Sequence, residues 1–270
     1  MSGNNRSFTY DGLGRVETSS GPWGSQTNSY NGLGNIESRI FTGSGSSGWS
    51  GSRNIYLQYD NKNRVYQSVD SQAAGTGVGG TGIRTVNYDA RGNVTTLGTM
   101  GFVYDYSDQP TVVSGSLNGG TATNGSYRYD GNLKRVKSTV NGDTIYNVFD
   151  ASGKLVHIKN DGASNYTDYI SANGQAIARI GSSGMFYEHN DHLGSPVATT
   201  NLFGAIDSRE RYLPFGLGID DPARLDDEAG FTGHIKDSAT GLNYMQARYY
   251  DPVIGRFLSI DPVTFMETGE

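Results

Sequence analysis

The segment RTVNYDARGNV, residues 84–94, contains the pattern that decides the fold of this chain. Its alternation of polar with β-branched or aromatic residues up to Tyr88 is typical of a strand. Asp89 can accept hydrogen bonds from backbone N–H groups one or two residues further on, and Gly92 can supply the positive φ of a tight turn. Val94 then begins the next strand-like run. The segment therefore predicts two antiparallel strands joined by a short turn.

The same unit recurs along the chain, as an aromatic residue that is followed by Asp or Asn, a few loose residues and then an apolar residue. The copies are Tyr10-Asp11, Tyr30-Asn31, Tyr59-Asp60, Tyr88-Asp89, Tyr129-Asp130 and Phe149-Asp150, with weaker copies at Tyr104-Asp105 and Ile170–Ala176. Asp11 and Asn31 are 20 residues apart, and Gly- and Ser-rich insertions at 43–52 and 71–82 lengthen other intervals.

An irregular period built on 20 residues indicates one hairpin for each copy, with insertions in the loops. A single hairpin cannot bury its own face, whereas stacked hairpins can. The sequence therefore predicts an all-β protein with a long antiparallel sheet that grows by one hairpin per repeat. An ordinary sandwich or propeller is the alternative, although propeller blades need a steadier period of roughly 40 residues.

Composition agrees with short strands and turns. The 270 residues include 39 Gly and 18 Tyr, which disfavours a helix bundle because glycine destabilises helix interiors. Charged residues make up only 18%, so we expect a surface rich in Ser, Thr, Asn and Gly. The net charge of -6 and the lack of a basic tract argue against a nucleic-acid-binding face.

Several further classes are excluded. The chain contains no cysteine, so it has neither disulfides nor thiolate metal sites. No run approaches 18 apolar residues, so no transmembrane helix is expected. The N-terminal sequence MSGNNRSFTYDG lacks the apolar stretch of a signal peptide.

The last third of the chain contains a series of short motifs in a fixed order. They are His192-Leu-Gly-Ser-Pro196, Tyr212-Leu-Pro-Phe-Gly216, Phe231-Thr-Gly233, Thr240-Gly-Leu242, ARYYDPVIGRF at 247–257 and Ser259-Ile-Asp-Pro262. Together with the Tyr-Asp units, they resemble the YD-repeat, or Rhs, family over nearly the whole chain. The resemblance divides the chain into YD repeats, residues 1–180, and an Rhs-associated core domain, residues 181–270.

The resemblance implies a spiral β-sheet that forms a hollow shell, or cocoon, closed at one end by the core domain as a plug. In this family the core cuts the chain downstream of itself, and the released C-terminal segment is a variable toxin held inside. Such shells occur in bacterial polymorphic toxins that are delivered by secretion systems, in insecticidal toxin complexes, and in the adhesive teneurins. The implied location is secreted or at the bacterial cell surface. With few repeats and an end at Glu270, soon after the second Asp-Pro, we expect a fragment with an incomplete core.

The self-cleavage of the family is attributed to an aspartyl-protease-like pair of carboxyl groups. The matching residue is Asp261, with Arg248 as the partner that would keep a carboxylate ionised. Asp251 and Arg256 are further candidates. The alternative is that Asp251 and Arg256 form a structural ion pair, while Tyr249, Tyr250 and Phe257 wedge the plug into the shell.

Two other motifs suggest binding sites but fit turns better. Glu188–His192 contains four groups that could bind a metal, with His189 and Asp191 on one face, yet Asp191-His-Leu-Gly-Ser195 also matches the turn of the repeat. Gly75–Gly80 reads G-x-G-x-x-G but precedes a strand rather than a helix, so the dinucleotide interpretation fails. The acidic run Asp220–Glu228 is expected to be a solvated loop. We therefore expect no metal and no cofactor.

Three functions remain open. The first is a container, whose partner is its own C-terminal toxin segment, within a secretion system or toxin complex. Its expected inner wall is tyrosine-rich and weakly charged, so that it holds a partly unfolded toxin without specific binding. The second is a self-processing protease. The third is an extracellular adhesive or structural subunit that stacks on neighbouring copies through open sheet edges. A subunit of this kind would form a homo-oligomer.

Overall fold

The computed structural model describes residues 5–44, 50–72, 82–115, 123–218, 227–237 and 239–261, and nearly all regular structure in them is β-strand. Nineteen strands form one antiparallel sheet in which each strand pairs with the next along the chain. They are β1 (Ser7–Tyr10), β2 (Val16–Gly21), β3 (Gly24–Tyr30), β4 (Ile36–Ser44), β5 (Ser50–Tyr59), β6 (Val65–Gln72), β7 (Gly82–Tyr88), β8 (Val94–Leu97), β9 (Met100–Tyr104), β10 (Pro110–Gly115), β11 (Thr123–Tyr129), β12 (Arg135–Val140), β13 (Asp143–Phe149), β14 (Leu155–Asn160), β15 (Asn165–Ala172), β16 (Gln175–Gly181), β17 (Gly184–Asn190), β18 (Pro196–Asn201) and β19 (Ile206–Arg209).

A second, small antiparallel sheet follows. It contains β20 (Ile235–Lys236), β21 (Asn243–Tyr244), β22 (Tyr249–Asp251) and β23 (Arg256–Phe257), and a short 3-10 turn covers Phe231–Gly233. The all-β prediction and the one-hairpin repeat are confirmed. The large sheet runs through β17, β18 and β19, beyond residue 180, where the sequence predicts the end of the repeats.

The turns of the repeat share one hydrogen-bond scheme. In the turn after β5, Asp60 Oδ1 accepts the backbone N–H groups of Lys62 and Arg64, both at 2.9 Å, and the Asp60 N–H donates to the Arg64 carbonyl at 2.8 Å. The side-chain bonds therefore reach two and four residues on, where the sequence predicted one or two. The same pair of bonds is formed by Asp11, Asn31, Asp89, Asp105, Asp130, Asp150, Asp191 and Asn201.

The fourth residue of these turns needs a positive φ. Gly92 has φ 100°, and Asn63 has φ 63° at the same position of its own turn. Glycine reaches this region without steric cost and Asn tolerates it, which is why the repeat places them there.

Most of these turns lie along one edge of the sheet. Successive strands are antiparallel, so connections that follow odd-numbered strands meet at the same edge. We call this edge the YD rim and define it by turn residues 11–15, 31–35, 60–64, 89–93, 105–109, 130–134, 150–154 and 191–195. β4 and β6, after which the Gly- and Ser-rich insertions come in the sequence, are even-numbered and end at the opposite edge. Residues 45–49 and 73–81 of the insertions, which include the Gly75–Gly80 motif, lie outside the described residues, as does 219–226 of the acidic run.

In the described structure, tyrosine hydroxyls join five of the hairpins to the hairpin before them. The Tyr59 hydroxyl donates to the Ile36 carbonyl at 2.6 Å, and the Tyr88 hydroxyl donates to the Val65 carbonyl at 2.7 Å. The same bond connects Tyr30 to Val16, Tyr104 to Val94 and Tyr129 to Pro110. Burial raises the pKa of Tyr88 to about 12, so its hydroxyl remains a donor at neutral pH.

These carbonyls need such a donor because of the strand register. The pairing of β6 with β7 begins at Gln67, so the Val65 carbonyl lies beyond the backbone ladder on that side. A register shift between Asn87 and Tyr88 marks a bulge at the aromatic residue, which places its ring over the preceding hairpin. At Phe149, which has no hydroxyl, the Asn147 side chain donates to the Arg135 carbonyl at 3.1 Å instead.

The core lies on the inner face of the large sheet. Phe41, Ile55 and Leu97 are fully buried there together with Tyr249 and Leu258 from the C-terminal part of the chain. We define the inner segment as residues 210–218, 227–237 and 239–261. Residues 249–252 of this segment bond to side chains on β4, β7 and β12, so the sheet curves around the segment.

We predict that Tyr88→Phe lowers the free energy of unfolding by about 1–2 kcal/mol, because the Val65 carbonyl loses its only side-chain donor in the described structure. Urea denaturation measures the loss. The matched control is Tyr66→Phe, whose half-exposed hydroxyl donates to the Gln58 side chain on the outer face, and which should change stability by less. Equal losses in the two variants would contradict the role given to the repeat tyrosine.

Candidate functional site

The inner face of the sheet carries a set of buried arginines. Arg39, Arg53, Arg84 and Arg135 belong to β4, β5, β7 and β12, and each is at most 5% exposed. The expectation of a weakly charged inner wall is therefore wrong. Burying a guanidinium is costly unless it is fully bonded, so the partners of these arginines define the interior.

Arg39 binds backbone carbonyls of the inner segment. Its Nη1 donates to Pro252 O and Val253 O, each at 2.7 Å, and its Nη2 donates to Pro214 O at 2.8 Å. The guanidinium also lies 4.8 Å from the ring centre of Phe215. Burial lowers the pKa of Arg39 to about 10, which leaves it protonated at neutral pH. One cation thus fixes two separate stretches of the inner segment.

Arg84 pairs with Asp251, and Arg53 pairs with Asp70 within the sheet itself. Arg84 Nη1 lies 3.4 Å from Asp251 Oδ2, and Asp251 Oδ1 accepts the Val253 N–H at 2.7 Å. Asp251 is 2% exposed, so this carboxylate is enclosed between strand and turn. The alternative that Asp251 and Arg256 form a structural ion pair is wrong, because Asp251 pairs with Arg84 and Arg256 bonds to Asn35.

Arg256 instead contacts the YD rim. Its Nη2 donates to Asn35 Oδ1 at 2.6 Å, and its guanidinium lies 5.2 Å from the ring centre of Tyr59. Arg15 and Arg64 occupy the equivalent place over Tyr30 and Tyr88, at 4.3 and 4.4 Å. Each of those arginines is the fifth residue of the preceding turn. At Tyr59 that residue is Asn35, and Arg256 supplies the cation from 221 residues away.

Arg135 is the centre of a buried polar and aromatic cluster. Its Nη1 donates to Asp237 Oδ2 at 2.6 Å and to the Tyr249 hydroxyl at 2.7 Å. The ring centres of Tyr127 and Tyr249 are 5.7 Å apart, and those of Tyr244 and Tyr249 are 5.2 Å apart. Tyr249, on β22 of the second sheet, therefore packs against Tyr127 of the large sheet.

The two other aromatics of the predicted plug lie further out. Tyr250 donates its hydroxyl to Phe215 O at 2.9 Å, and its ring packs edge-on against Phe257, with centres 5.4 Å apart. Phe257 is 38% exposed. Tyr249 and Tyr250 thus pack within the inner segment and against the sheet, whereas Phe257 faces partly outward.

The fifth residues of the rim turns hold the inner segment. Gln109 Nε2 donates to Ala247 O at 2.7 Å, and the Ser195 hydroxyl accepts the Thr232 N–H at 3.0 Å. Asn93 Oδ1 accepts the Ile260 N–H at 3.4 Å, and the Lys134 amino group bonds to the Gln246 side chain. The inner segment therefore follows the YD rim from one hairpin to the next.

The candidate cleavage residues Asp261 and Arg248 are in contact. Arg248 Nη2 lies 3.0 Å from Asp261 Oδ2, and the guanidinium stacks 3.8 Å from the ring centre of Phe257. Asp261 is 54% exposed, whereas Asp251 is buried against Arg84. The structure brings Asp261 and Arg248 together but binds the two aspartates to different arginines. Residues 262–270 lie outside the described part of the chain.

The other candidates form ordinary repeat contacts. Asp191 Oδ1 accepts the N–H groups of Leu193 and Ser195 at 2.9 Å, which confirms the turn interpretation of that motif. His189 lies 3.0 Å from the Thr200 hydroxyl on β18. Within the described ranges, no three His, Cys, Asp or Glu side chains are grouped to hold a metal, and no helix is long and apolar enough to cross a membrane.

Sequence reasoning missed the inner arginines and the fifth rim position. A signal was present in the strand period: Arg39 is two residues from buried Phe41, and Arg84 is two residues from buried Val86. Because alternate residues of a strand share a face, these spacings place both arginines inside. The partners of the rim residues are far away in the sequence and left no such signal.

The hairpins are joined by tyrosine hydrogen bonds, and the sheet curves around the C-terminal part of the chain and bonds to it along the YD rim. These features define a repeat-shell protein. The chain belongs to the Teneurin YD-shell family, whose model matches residues 2–269.

The chain spans only a small part of the toxin relatives to which it is similar. The chain is 26% identical over 301 aligned positions to the double-stranded DNA deaminase toxin A of Burkholderia cenocepacia, which covers 96% of this chain and 20% of that protein. It is 29% identical over 184 positions to the tRNA nuclease WapA of Bacillus subtilis, covering 66% of this chain and 8% of that protein. In the TcdB2-TccC3-Cdc42 crystal structure, 16% of one chain matches 95% of this chain with a TM-score of 0.62 and 18% identity, a likeness of fold. These similarities support a structural shell role of the kind found in toxin-related proteins.

We predict that Arg135→Met lowers the free energy of unfolding by about 3–5 kcal/mol, since it leaves the Asp237 carboxylate buried without its cation. Adding Asp237→Asn should recover part of the loss, and a double-mutant cycle in urea measures the coupling. Arg91→Met serves as the control, because its ion pair with Asp108 is 43% exposed on the arginine side and should contribute less than about 1 kcal/mol. Additive losses at Arg135 and Asp237 would refute the coupling.

Proposed function

We propose that this chain is a wall segment of an Rhs-type shell that encloses a toxin polypeptide. In this proposal residues 1–180 are YD repeats, and residues 181–270 belong to the core domain, whose inner segment closes the shell at the YD rim. Tyr249, Tyr250 and Phe257 act as parts of the plug. The observation that carries the proposal is the series of polar bonds by which successive rim turns hold one inner segment.

Encapsulation fits these contacts better than turnover does. The inner segment is anchored by buried cations and carbonyls at many points, so it is a fixed closure rather than a mobile lid. A fixed closure lets the wall retain a polypeptide without binding it specifically. The nucleic-acid chemistry in the names of the relatives belongs to proteins at least several times longer than the aligned region, so in this proposal the toxic activity comes from an enclosed segment. The natural partners are then that segment and the other components of a secretion system or toxin complex, in a secreted or cell-surface protein.

The proposal is tested by co-expressing the chain with the polypeptide encoded directly downstream in its genome. The expected result is a discrete complex in which the downstream polypeptide co-purifies and resists protease. Arg39→Met, which removes three bonds to the inner segment, should release it, whereas the outer-face variant Tyr66→Phe should not. A ladder of homo-oligomers that retains no downstream polypeptide would overturn encapsulation in favour of a self-assembling adhesive subunit.

A second candidate function, self-processing, is favoured by the contact of Arg248 with Asp261. In this proposal the arginine keeps one carboxylate ionised, and a further acidic group supplies the shared proton of an aspartyl-protease-like site. Asp251 is a weaker candidate for that second group, because it is already paired with Arg84 inside the shell. Arg256 is likewise occupied at the YD rim.

For this function we predict that a chain extended beyond Glu270 with its natural downstream sequence releases a C-terminal fragment, and that Asp261→Ala keeps it intact. Mass spectrometry of the purified products locates the cut. Asp168→Ala is the control, since that half-exposed carboxylate pairs with His157 at 2.7 Å on the neighbouring strand of the sheet and its loss should leave cleavage unchanged. Equal, uncut products from wild type and Asp261→Ala would remove the protease proposal.

A further inference from the structure

A cavity of about 370 Å³ lies between the YD rim and the inner segment. Its apolar wall includes Leu155, Leu193 and Pro196, and its polar wall includes Tyr169 and Gln246. Concave sites of this size with mixed walls are typical of sites for small organic molecules or single side chains.

Lys154 places a positively charged group at this cavity. It lines the cavity, its amino group is buried, and within the described residues that group has no hydrogen-bond partner. Lys154 is the fifth residue of its rim turn. Arg15 and Arg64, at the same position, pair with the aspartate of their own turn, and Lys134 bonds to Gln246 of the inner segment. The Asp150 carboxylate of its own turn interacts with the charge of Lys154 without forming a hydrogen bond to it. Lys154 is therefore the cation of this series whose amino group has no hydrogen-bond acceptor in the described structure.

The acidic groups around the cavity are already engaged. Glu188 Oε1 lies 3.1 Å from Arg179 Nε, and the Glu228 carboxylate contacts Arg179 Nη1 and accepts the Thr167 hydroxyl. Neither carboxylate lies within ion-pair distance of Lys154. A buried ammonium without an acceptor is costly, and an incoming anion would compensate it.

From this arrangement we propose that the cavity is a binding site for a carboxylate, held by Lys154, with the apolar part of the ligand against Leu155, Leu193 and Pro196. A carboxylate fits better than a phosphate, because a phosphate group has three acceptor oxygens and is held by several donors or by a guanidinium fork. The carboxylate can come from a free small acid or from an acidic side chain of a peptide. This site is independent of the proposed shell function.

Calorimetric titration of the whole chain tests the site with two pairs of probes. Benzoate and benzamide represent the free acid and its neutral isostere, and the capped tripeptides Gly-Glu-Gly and Gly-Gln-Gly represent the side chain. We expect wild type to bind at least one acid about tenfold more tightly than its amide, the preference that a hydrogen bond to a charged group gives. Binding of benzoate identifies a free acid as a sufficient ligand, and binding of the glutamate peptide alone identifies the side chain.

Lys154→Met should abolish the preference for the acid. Lys159→Met is the matched control, because it removes the same charge from an exposed lysine that is paired with Asp161 at 2.7 Å and does not line the cavity. NMR of the lysine side chains in wild-type protein gives a reading that needs no variant, since the Lys154 resonances should shift on titration with the bound acid. The absence of any acid preference in wild type, its retention in Lys154→Met, or an unmoved Lys154 resonance would overturn the proposal.

Discussion

The bond from a tyrosine hydroxyl to a carbonyl of the preceding hairpin is the interaction on which this architecture depends. The pairing of β6 with β7 begins at Gln67 and leaves the Val65 carbonyl outside the backbone ladder on that side, and a buried unpaired carbonyl costs about 1–3 kcal/mol. The next tyrosine removes that cost and fixes the spacing between hairpins at the same time. Stacking is thereby built into the repeat, because each copy completes the hydrogen bonding of the copy before it.

Bonds between adjacent hairpins do not by themselves determine the curvature of the sheet. The buried arginines supply that constraint, since Arg39, Arg84 and Arg135 come from strands far apart in the sheet yet bind one inner segment. Apolar burial would favour any compact arrangement of this segment, because it is not directional. Guanidinium bonds are directional, and leaving one unmade inside the protein is costly, so they select one position for the segment against the strands.

Local features of this fold could be read from the sequence. The turn at Asp60 and the positive φ near Gly92 depend on residues within five positions of one another, and the pattern predicted them. The contacts of the inner segment could not be read in this way. Asp251 and Arg256 are close in the sequence, which suggested an ion pair, and the fold does make them cross-strand neighbours in the second sheet. In the folded protein Asp251 pairs with Arg84, 167 residues away, because Arg84 is a buried cation next to it. Arg256 instead bonds to Asn35 at the YD rim.

The fifth residue of the rim turn connects these two levels. Where it is Arg15 or Arg64, the guanidinium pairs with its own turn and stacks on the next tyrosine, so the repeat is complete without the inner segment. Where it is Asn35, Asn93, Gln109 or Ser195, it contributes a short polar group that bonds to the inner segment instead. The case of Asn35 shows that the two roles are exchangeable, because Arg256 restores the missing cation over Tyr59 from the inner segment. A change of residue type at this position therefore does not mean that the repeat has lost its function in the fold. It distinguishes hairpins that only extend the wall from hairpins that also hold its closure.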